Sequence, residues 1–274
     1  MNNINGLGVL VTGASSGIGA ATAALLAQQG HRVVGAARRT ESIDQLPGVS
    51  AVPLDLTDQG GTTDAVSAAT AMLGRVDILI NCAGYGLFGS IEETPLDQAR
   101  DQFEVNVFGL IDLTQQVLGP MRDAGRGRVV NVSSLAGEFS SPMAGWYHAS
   151  KFALEALSDS LRLEVAQFGI DVVVVQPGPV RSEWHDHALR SLDESPTDGP
   201  YAGTASAVAR FHRASQETPV TSSIETAARA VTRAATIERP RPRYRVGRGS
   251  AVAVALSRLP DRVFDRMTKK QFGL

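Results

Sequence analysis

The sequence lacks several features that would point to particular classes of protein. Cys82 is its only cysteine, so the chain has no disulfide framework and no Cys-x-x-Cys metal site, which fits a reducing compartment. The net charge of −2 does not favour a nucleic acid partner. No apolar run reaches the ~18 residues of a membrane span, and residues 1–6 lack the basic and apolar regions of a signal peptide. We therefore expect a cytoplasmic protein without a transmembrane segment.

Short apolar runs alternate with longer helical patterns through the first two-thirds of the 274 residues. This alternation predicts a doubly wound parallel α/β sheet with right-handed crossovers, in one Rossmann-type domain over residues 1–274. The predicted strands are 8–12, 31–37, 49–54, 76–80, 128–132, 171–176 and, at an edge, 243–247. The predicted helices are 20–29, 61–73, 96–106, 110–121, 147–169, 202–215 and 224–237.

A glycine-rich turn, residues 13–19, lies between the first strand and the first helix. Gly13 permits a tight turn, Gly17 allows a phosphate to approach the backbone, and Gly19 allows the helix to pack on the strand. The N-terminus of the helix offers free N–H groups to a pyrophosphate. The turn therefore predicts dinucleotide binding, although its TGxxxGxG spacing differs from the common GxGxxG and a plain tight turn is the alternative.

The second predicted strand ends in Ala37-Arg38-Arg39, where a dinucleotide-binding fold that prefers NAD carries an acidic residue for the ribose. An arginine can instead form two hydrogen bonds with a 2′-phosphate. The sequence therefore favours NADP(H), with Arg38 the better candidate and Arg39 the second. The alternative is that both arginines are solvated loop residues.

Tyr147 and Lys151 are four residues apart at the start of a helical pattern, so both side chains share one face. A nearby ammonium favours the phenolate and lowers the phenol pKa from its ordinary value of ~10. This arrangement predicts a tyrosine that acts as a general acid or base. A pair of ordinary exposed side chains is the alternative.

Together these motifs resemble the short-chain dehydrogenase/reductase family, in its compact single-domain branch. The resemblance extends from Gly8 to about Ser182 and depends on the following segments: residues 12–19, Asn81-Cys82-Ala83-Gly84, Asn106, Ser134, Tyr147-xxx-Lys151 and Pro177-Gly178. It implies a carbonyl reductase or alcohol dehydrogenase that uses a nicotinamide cofactor.

The resemblance also implies catalytic roles. Tyr147 would be the acid in carbonyl reduction and the base in alcohol oxidation, and Lys151 would lower its pKa and hold the nicotinamide ribose. Ser134 would bind the substrate oxygen, and it is preferred to Ser133 because the family serine precedes the tyrosine by thirteen positions. Asn106 would hold a water molecule that connects Lys151 to solvent.

For the cofactor, the resemblance implies that Asp55 contacts the adenine, that Asn81 and Gly84 lie along the cofactor, and that Pro177-Gly178 backs the nicotinamide. Ser182 is the nearest hydroxyl where the family often has a threonine. The full predicted set is Gly13, Ser15, Ser16, Gly17, Ile18, Gly19, Arg38, Asp55, Leu56, Asn81, Ala83, Gly84, Tyr147, Lys151, Pro177, Gly178 and Val180.

A long insert at residues 183–219 reads as a substrate lid. Candidate pocket residues are apolar or aromatic, which suits a lipophilic ketone, aldehyde or secondary alcohol; packing of the lid alone is the alternative. They are Tyr85, Leu87, Phe88, Phe139, Met143, Trp146 and Trp184. His185, His187 and His212 lie in the insert without a supporting ligand pattern, so we interpret them as surface histidines and predict no metal site.

Residues 248–274 form an amphipathic tail, which can pack on its own core, on a second subunit or on a membrane surface. The family resemblance implies a homodimer or homotetramer that pairs the helices holding Asn106 and Tyr147. Two other functions remain open on the same fold. One is a non-enzymatic NADP(H)-binding sensor, and the other is an isomerase or epimerase with retained cofactor.

Overall fold

A seven-stranded parallel sheet forms the centre of the molecule. The fold comes from a computed structural model, which describes residues 6–193 and 198–274. The strands of this sheet are β1 (Gly8–Thr12), β2 (Arg32–Ala37), β3 (Val49–Pro53), β4 (Ile78–Asn81), β5 (Gly127–Val132), β6 (Ile170–Pro177) and β9 (Arg243–Val246), and their order is β3-β2-β1-β4-β5-β6-β9. A second, two-stranded sheet pairs β7 (Val180–Arg181) with β8 (Ser222–Ser223).

The helices alternate with the strands along the chain. They are α1 (Gly17–Gln28), α2 (Glu41–Asp44), α3 (Gln59–Leu73), α4 (Leu96–Phe103), α5 (Gly109–Asp123), α6 (Gly145–Val165), α7 (Glu183–Asp193), α8 (Ala202–Ser215), α9 (Ile224–Thr236), α10 (Ser250–Leu256) and α11 (Asp261–Phe272). The predicted doubly wound α/β architecture is therefore confirmed. Nothing in the described residues is a helix both long and apolar enough to cross a membrane.

Both faces of the sheet are covered, which explains why β1 and β4 are buried along their whole length and apolar except for their last residues, Thr12 and Asn81. On one face, Leu26 of α1 and Val231 of α9 pack against Val9 and Val11. On the other face, α3, α5 and the end of α6 pack against Leu10 and Leu79. The sheet order reverses between β1 and β4, so a crevice opens at their carboxyl ends.

Two predicted elements differ from the structure. The predicted helix 96–106 ends at Phe103 and continues as one π-helical turn, Glu104–Phe108, before α5 begins. The predicted tail is two helices, because Pro260 lacks the N–H that a continuous helix needs and stands at the N-cap of α11.

Predicted boundaries elsewhere agree to within about three residues for strands β1–β6 and β9 and helices α1, α3, α5, α8 and α9. The predicted end of α6 at Gly169 includes a separate 3-10 turn, Ala166–Phe168.

Candidate active site

One cleft of about 1880 Å³ lies at the carboxyl ends of the strands and extends under the lid and the tail. Every residue of the predicted cofactor set except Asn81 lines it, as do Ser134 and Ser182. Most of these residues come from the segments that follow β1, β2, β3, β4, β5 and β6, and Tyr147 and Lys151 come from α6. The parallel strands bring them together because all of their carboxyl ends meet at one edge.

The glycine turn brings the backbone to the wall of the cleft. Gly13 has a φ of +67°, and a β-carbon there would lie 2.9 Å from the backbone of Ala83. Gly17 begins α1 with a φ of +56°, and a β-carbon there would meet open space. Ser16, the N-cap residue, makes no side-chain hydrogen bond to the helix. The first N–H groups of α1 are thus available to an anion in the cleft.

Thr12 is a site residue that the sequence reasoning missed. Its hydroxyl accepts hydrogen bonds from the N–H groups of Cys82 (3.0 Å) and Ala83 (3.1 Å). These bonds connect the end of β1 to the loop after β4, across the point where the sheet order reverses. The position of a threonine directly before the glycine turn was the sequence signal that could have identified Thr12 as a site residue.

The end of β2 presents positive charge to the cleft. Arg38 and Arg39 are exposed and both line it. Asp55 lies across from them, after β3. The pKa of its carboxyl is lowered, first by the N–H of Thr57 at 3.0 Å and to a smaller extent by the charge of Arg38. One carboxylate oxygen of Asp55 is therefore already occupied by Thr57, whose hydroxyl also donates to it at 2.8 Å.

Ser134, Tyr147 and Lys151 converge on one wall of the cleft. Ser134 follows β5 and opens a short 3-10 turn, where its hydroxyl accepts the N–H of Ala136 at 3.1 Å. Tyr147 lies in the first turn of α6, and the nearby hydroxyl of Ser134 acts to lower the pKa of its phenol. Lys151 lies one turn later, with its ammonium 6.0 Å from the centre of the Tyr147 ring. The sequence motif thus forms a real constellation, with Ser134 rather than Ser133 against the phenol.

The pKa values differ from the sequence-based expectation that Lys151 lowers the pKa of Tyr147. Burial raises the pKa of Tyr147 to about 12, and the nearby hydroxyl of Ser134 only partly opposes this. Burial also lowers the pKa of Lys151 to about 8, against the charges of Cys82 and Glu155. The expectation was wrong for this structure because burial of the phenol dominates its pKa, and the charge of Lys151 is not among the causes of the shift.

Asn106 lies behind this wall and does not line the cleft. It sits in the π-helical turn, fully buried. Its amide donates to the carbonyl of Tyr85 (2.9 Å) and to the hydroxyl of Ser150 (3.1 Å), and its oxygen accepts the N–H of Tyr85 (3.1 Å). The side chain therefore fixes the loop after β4 against α6. Its predicted role as a water-holding residue stays a prediction.

The predicted cofactor contact of Asn81 was wrong for its side chain. Asn81 is the last residue of β4 and points into the protein, away from the cleft. Its amide donates to the hydroxyl of Thr114 at 3.0 Å and to the oxygen of Asn131 at 2.9 Å. Strand alternation explains this orientation, because successive side chains point to opposite faces of the sheet. The described structure gives Asn81 a packing role between β4, β5 and α5.

Most of the predicted substrate-pocket residues line the cleft, but two do not. Met143 is buried in an apolar cluster, the lid cluster, together with Phe88, Ala188 and Phe272. It has a φ of +62°, and its carbonyl accepts the N–H of Gly89 at 2.7 Å. Trp146 packs edge-on against Phe103 of α4, with ring centres 6.4 Å apart. The residues that do line the cleft are Tyr85, Leu87, Phe88, Phe139 and Trp184.

His212 is not the surface residue that the sequence suggested. It is half-buried on α8 and lines the cleft, with its ring 5.2 Å from that of Phe88 and 6.3 Å from that of Phe272. The side chains of His185 and His187 lie outside the described residues. Among the residues that are described, no group of three or more His, Cys, Asp or Glu side chains could hold a metal ion.

The tail forms part of the cleft, which sequence reasoning left as one of three alternatives. Phe264 contacts Phe139 at a ring-centre distance of 6.1 Å, and buried Phe272 packs against Phe211 at 4.6 Å. The helical spacing of Phe264, Thr268 and Phe272 was the signal, because residues four apart share a face. The far end of the cleft is therefore closed by α10 and α11.

Comparison with known proteins gives the family. Residues 8–192 match the family model described as short chain dehydrogenase. The chain is 40% identical over 187 residues to a 3-ketodihydrosphingosine reductase of Bacteroides thetaiotaomicron, covering 68% of each chain. It is 36% identical over 185 residues to an NADPH-dependent 3-dehydrocapnine reductase of Ornithobacterium rhinotracheale, covering 64% of this chain and 65% of that one.

A solved structure agrees over almost the whole length. A short-chain dehydrogenase from Streptomyces avermitilis is 34% identical and superposes with a TM-score of 0.79, covering 98% of this chain and 97% of that one. The agreement includes the region of the lid and tail, beyond the segment that the family model matches. The chain therefore belongs to the short-chain dehydrogenase/reductase family of oxidoreductases.

Proposed function

We propose that this protein is an NADP(H)-dependent oxidoreductase that reduces a lipophilic ketone or aldehyde to an alcohol, or catalyses the reverse reaction. The observation that carries the proposal is the convergence of Ser134, Tyr147 and Lys151 on one wall of the cleft. Two neighbouring hydroxyls on one wall can bind one carbonyl oxygen together. Short-chain dehydrogenases use a nicotinamide cofactor, and the same cleft continues to the glycine turn.

The residues present fit such a cofactor. The uncapped start of α1 and the open space beside Gly17 suit a pyrophosphate. At the end of β2, Arg38 and Arg39 suit a 2′-phosphate, which a guanidinium can bind through two hydrogen bonds. The printed name of the O. rhinotracheale relative, which specifies NADPH, supports the same choice. When bound, the nicotinamide supplies or accepts the hydride.

The chain's own residues supply the proton and stabilise the developing charge. Tyr147, with a pKa of about 12, is a neutral phenol at pH 7 and can donate its proton to the carbonyl oxygen. Ser134 donates a hydrogen bond to the same oxygen as negative charge develops on it. The ammonium of Lys151 stabilises the phenolate that remains. In alcohol oxidation Tyr147 acts as the base, which requires its pKa to be lower than in this structure.

The far end of the cleft supports an apolar substrate. Phe88 and Trp184 lie next to Tyr147, with ring centres 6.2 Å and 5.1 Å from its ring. Beyond them, Phe264 and Phe272 of the tail line the same space. The B. thetaiotaomicron relative carries a keto compound in its name and is called a reductase. These features together favour carbonyl reduction over other reactions.

The test begins with titration of the protein by NADPH and by NADH, followed through tryptophan fluorescence, since Trp184 lines the cleft. We expect tight binding of NADPH and weak binding of NADH. NADPH oxidation is then measured with long-chain and short-chain ketones and aldehydes, with Tyr147→Phe as the inactive control. Tight NADPH binding without turnover of any carbonyl would instead support a non-enzymatic sensor. Binding of neither cofactor would contradict the proposal.

A further inference from the structure

The outer surface of the tail combines exposed apolar and basic side chains. Apolar residues along it remain well exposed: Val252 (61%), Leu256 (37%), Leu259 (37%), Val263 (36%) and Met267 (39%). The same segment, residues 248–274, carries six arginines or lysines and two aspartates, a net charge of +4 in a chain whose net charge is −2. Exposed apolar groups next to an excess of positive charge indicate an interaction surface.

The side chains of α11 form four rows, each with a spacing of four residues, and the fourth of these rows holds Asp261, Asp265 and Lys269. Phe264, Thr268 and Phe272 form the row that faces the protein. Val263 and Met267 form the next row, which is apolar and exposed. Arg262, Arg266 and Lys270 form the third row, which is basic and exposed. The apolar row therefore lies between the buried face and the basic row, as in helices that lie flat in a membrane interface.

The basic side chains of the tail are free to meet an external anion. Within the described residues, Arg248, Arg258, Arg262, Arg266, Lys269 and Lys270 form no salt bridge, and all six are exposed. The arginines that do form salt bridges in the described residues lie outside the tail, such as Arg243 with Glu155. The tail surface thus carries a net positive charge although the whole chain is net negative.

We propose that α10 and α11 dock on the surface of an anionic lipid bilayer. The exposed apolar row would enter the acyl boundary, and the neighbouring basic row would lie at the level of the anionic headgroups. Leu256 and Met267 are both partly exposed and part of the cleft wall, so the tail helices that close the cleft also separate it from the surface where the bilayer would lie. Docking therefore places the tail between the apolar end of the cleft and the lipid phase. The inference goes beyond the proposed function, and its test needs no turnover.

The first test is co-sedimentation of the full chain with vesicles of phosphatidylcholine alone and of phosphatidylcholine mixed with phosphatidylglycerol. We expect binding to the anionic vesicles only, and weaker binding as salt screens the charges. Arg262→Glu/Arg266→Glu should lower the apparent partition coefficient by about tenfold or more. The matched control is Arg239→Glu/Arg241→Glu, which makes the same charge change. These two arginines precede the amino end of β9, whereas the tail follows its carboxyl end.

A second pair of variants tests the apolar row. Val263→Ser should lower the partition coefficient several-fold, whereas Met72→Ser, which changes an exposed apolar residue on α3, should leave it unchanged. Circular dichroism confirms that each variant is folded. Absence of wild-type binding to anionic vesicles, or an equal loss in both arginine variants, would overturn the proposal. So would a fall in native mass for Arg262→Glu/Arg266→Glu, since the surface would then be covered by a second copy of the chain.

Discussion

The ammonium of Lys151 donates a hydrogen bond to the carbonyl of Val132, the last residue of β5, at 3.2 Å. This bond joins the second turn of α6 to the strand that ends beside Ser134. The side chain is buried, and burial lowers the pKa of Lys151 to about 8 from its ordinary 10.5. Burial of the charged Lys151 side chain therefore lowers the stability of the folded protein, as expected for a residue that is kept for activity.

Lys151→Met should stabilise the protein at pH 7. Below pH 8 both the folded and the unfolded chain carry the ammonium, and the folded chain bears the full cost of burying it. The pKa difference corresponds to ~3 kcal/mol, and loss of the bond to Val132 offsets about 1 kcal/mol of that. We expect the free energy of unfolding to rise by ~2 kcal/mol and the melting temperature by several degrees.

The pH dependence of stability distinguishes removal of the buried Lys151 charge from a general improvement in packing as the reason for the stabilisation. Between pH 8 and 10.5 the folded wild type binds fewer protons than the unfolded chain, so its stability rises with pH and the advantage of the variant shrinks. Thermal melts of both proteins across this range measure the effect. Lys269→Met, at an exposed tail position, is the control. An advantage that stays constant with pH would refute the buried charge as its cause.

Tyr147→Phe should remove most of the activity and leave cofactor binding intact. The phenol is the proposed proton donor, and loss of general acid catalysis costs about 10²–10⁴-fold in rate. Ser134→Ala should cost about 10²–10³-fold, because it removes one donor to the developing oxyanion. Steady-state kinetics with NADPH titration alongside measures both. Tyr244→Phe, on β9, should behave as wild type, and retained activity in Tyr147→Phe would exclude the proposed mechanism.

Arg38→Asp should exchange the cofactor preference. An aspartate at the end of β2 repels a 2′-phosphate and can bind the ribose hydroxyls instead. We expect NADPH affinity to fall about tenfold to a hundredfold and NADH affinity to rise. Arg39→Asp is the paired variant, because both side chains line the cleft. A larger effect at Arg39 would mean that Arg39, rather than Arg38, binds the 2′-phosphate. No effect at either position would mean that both arginines are solvated.

The site could be predicted from the sequence wherever a short motif fixes local geometry. The glycine turn, the Tyr147 helix and the end of β5 all follow from residues close together in the chain, and the parallel sheet brings them to one edge. Asn81 shows the limit of this reasoning. The sequence shows that Asn81 follows an apolar strand. The direction of its side chain, however, depends on hydrogen bonds to Thr114 and Asn131, which are distant in sequence.

Burial and long-range packing account for the other differences. The pKa of Tyr147 was expected to fall because the sequence shows the neighbouring charge of Lys151 but not the loss of water around the phenol. His212 is separated from Phe88 by more than a hundred residues, so no local pattern could place them in contact. The tail was recognisably amphipathic, but only the fold shows that Phe272 reaches the lid cluster.

Exposed apolar residues on α6 predict self-association. Phe152 (43%) and Leu163 (71%) are eleven residues apart and thus share a helix face. We expect a native mass of two or four times the 28.9 kDa chain by light scattering. Phe152→Asp/Leu163→Asp should give a monomer, because buried unpaired carboxylates oppose association. Met72→Asp on α3 should not change the mass, and a monomeric wild type would refute the prediction.

Glu155→Gln should change the pH dependence of catalysis through Lys151. Glu155 lies one turn after Lys151, and its carboxylate accepts hydrogen bonds from Gln176 (2.9 Å) and from Arg243 (2.7 and 3.0 Å). Its negative charge raises the pKa of Lys151 against burial. Without that charge the pKa of Lys151 falls below its value of about 8. The alkaline loss of kcat/KM in carbonyl reduction should therefore move to lower pH.

Glu138→Gln separates this effect from simple loss of stability. Glu138 belongs to the same network, since it accepts hydrogen bonds from Gln176 (2.9 Å) and Arg245 (3.1 Å), but it lies outside the charges that act on Lys151. Both variants should lower the melting temperature, because Glu138→Gln leaves Arg245 without its charged partner and Glu155→Gln leaves Arg243 with Asp159 alone. Only Glu155→Gln should move the pH profile. Equal profiles in the two variants would show that Glu155 acts on structure alone, because a carboxylate that tunes Lys151 must alter the pH at which the ammonium loses its proton.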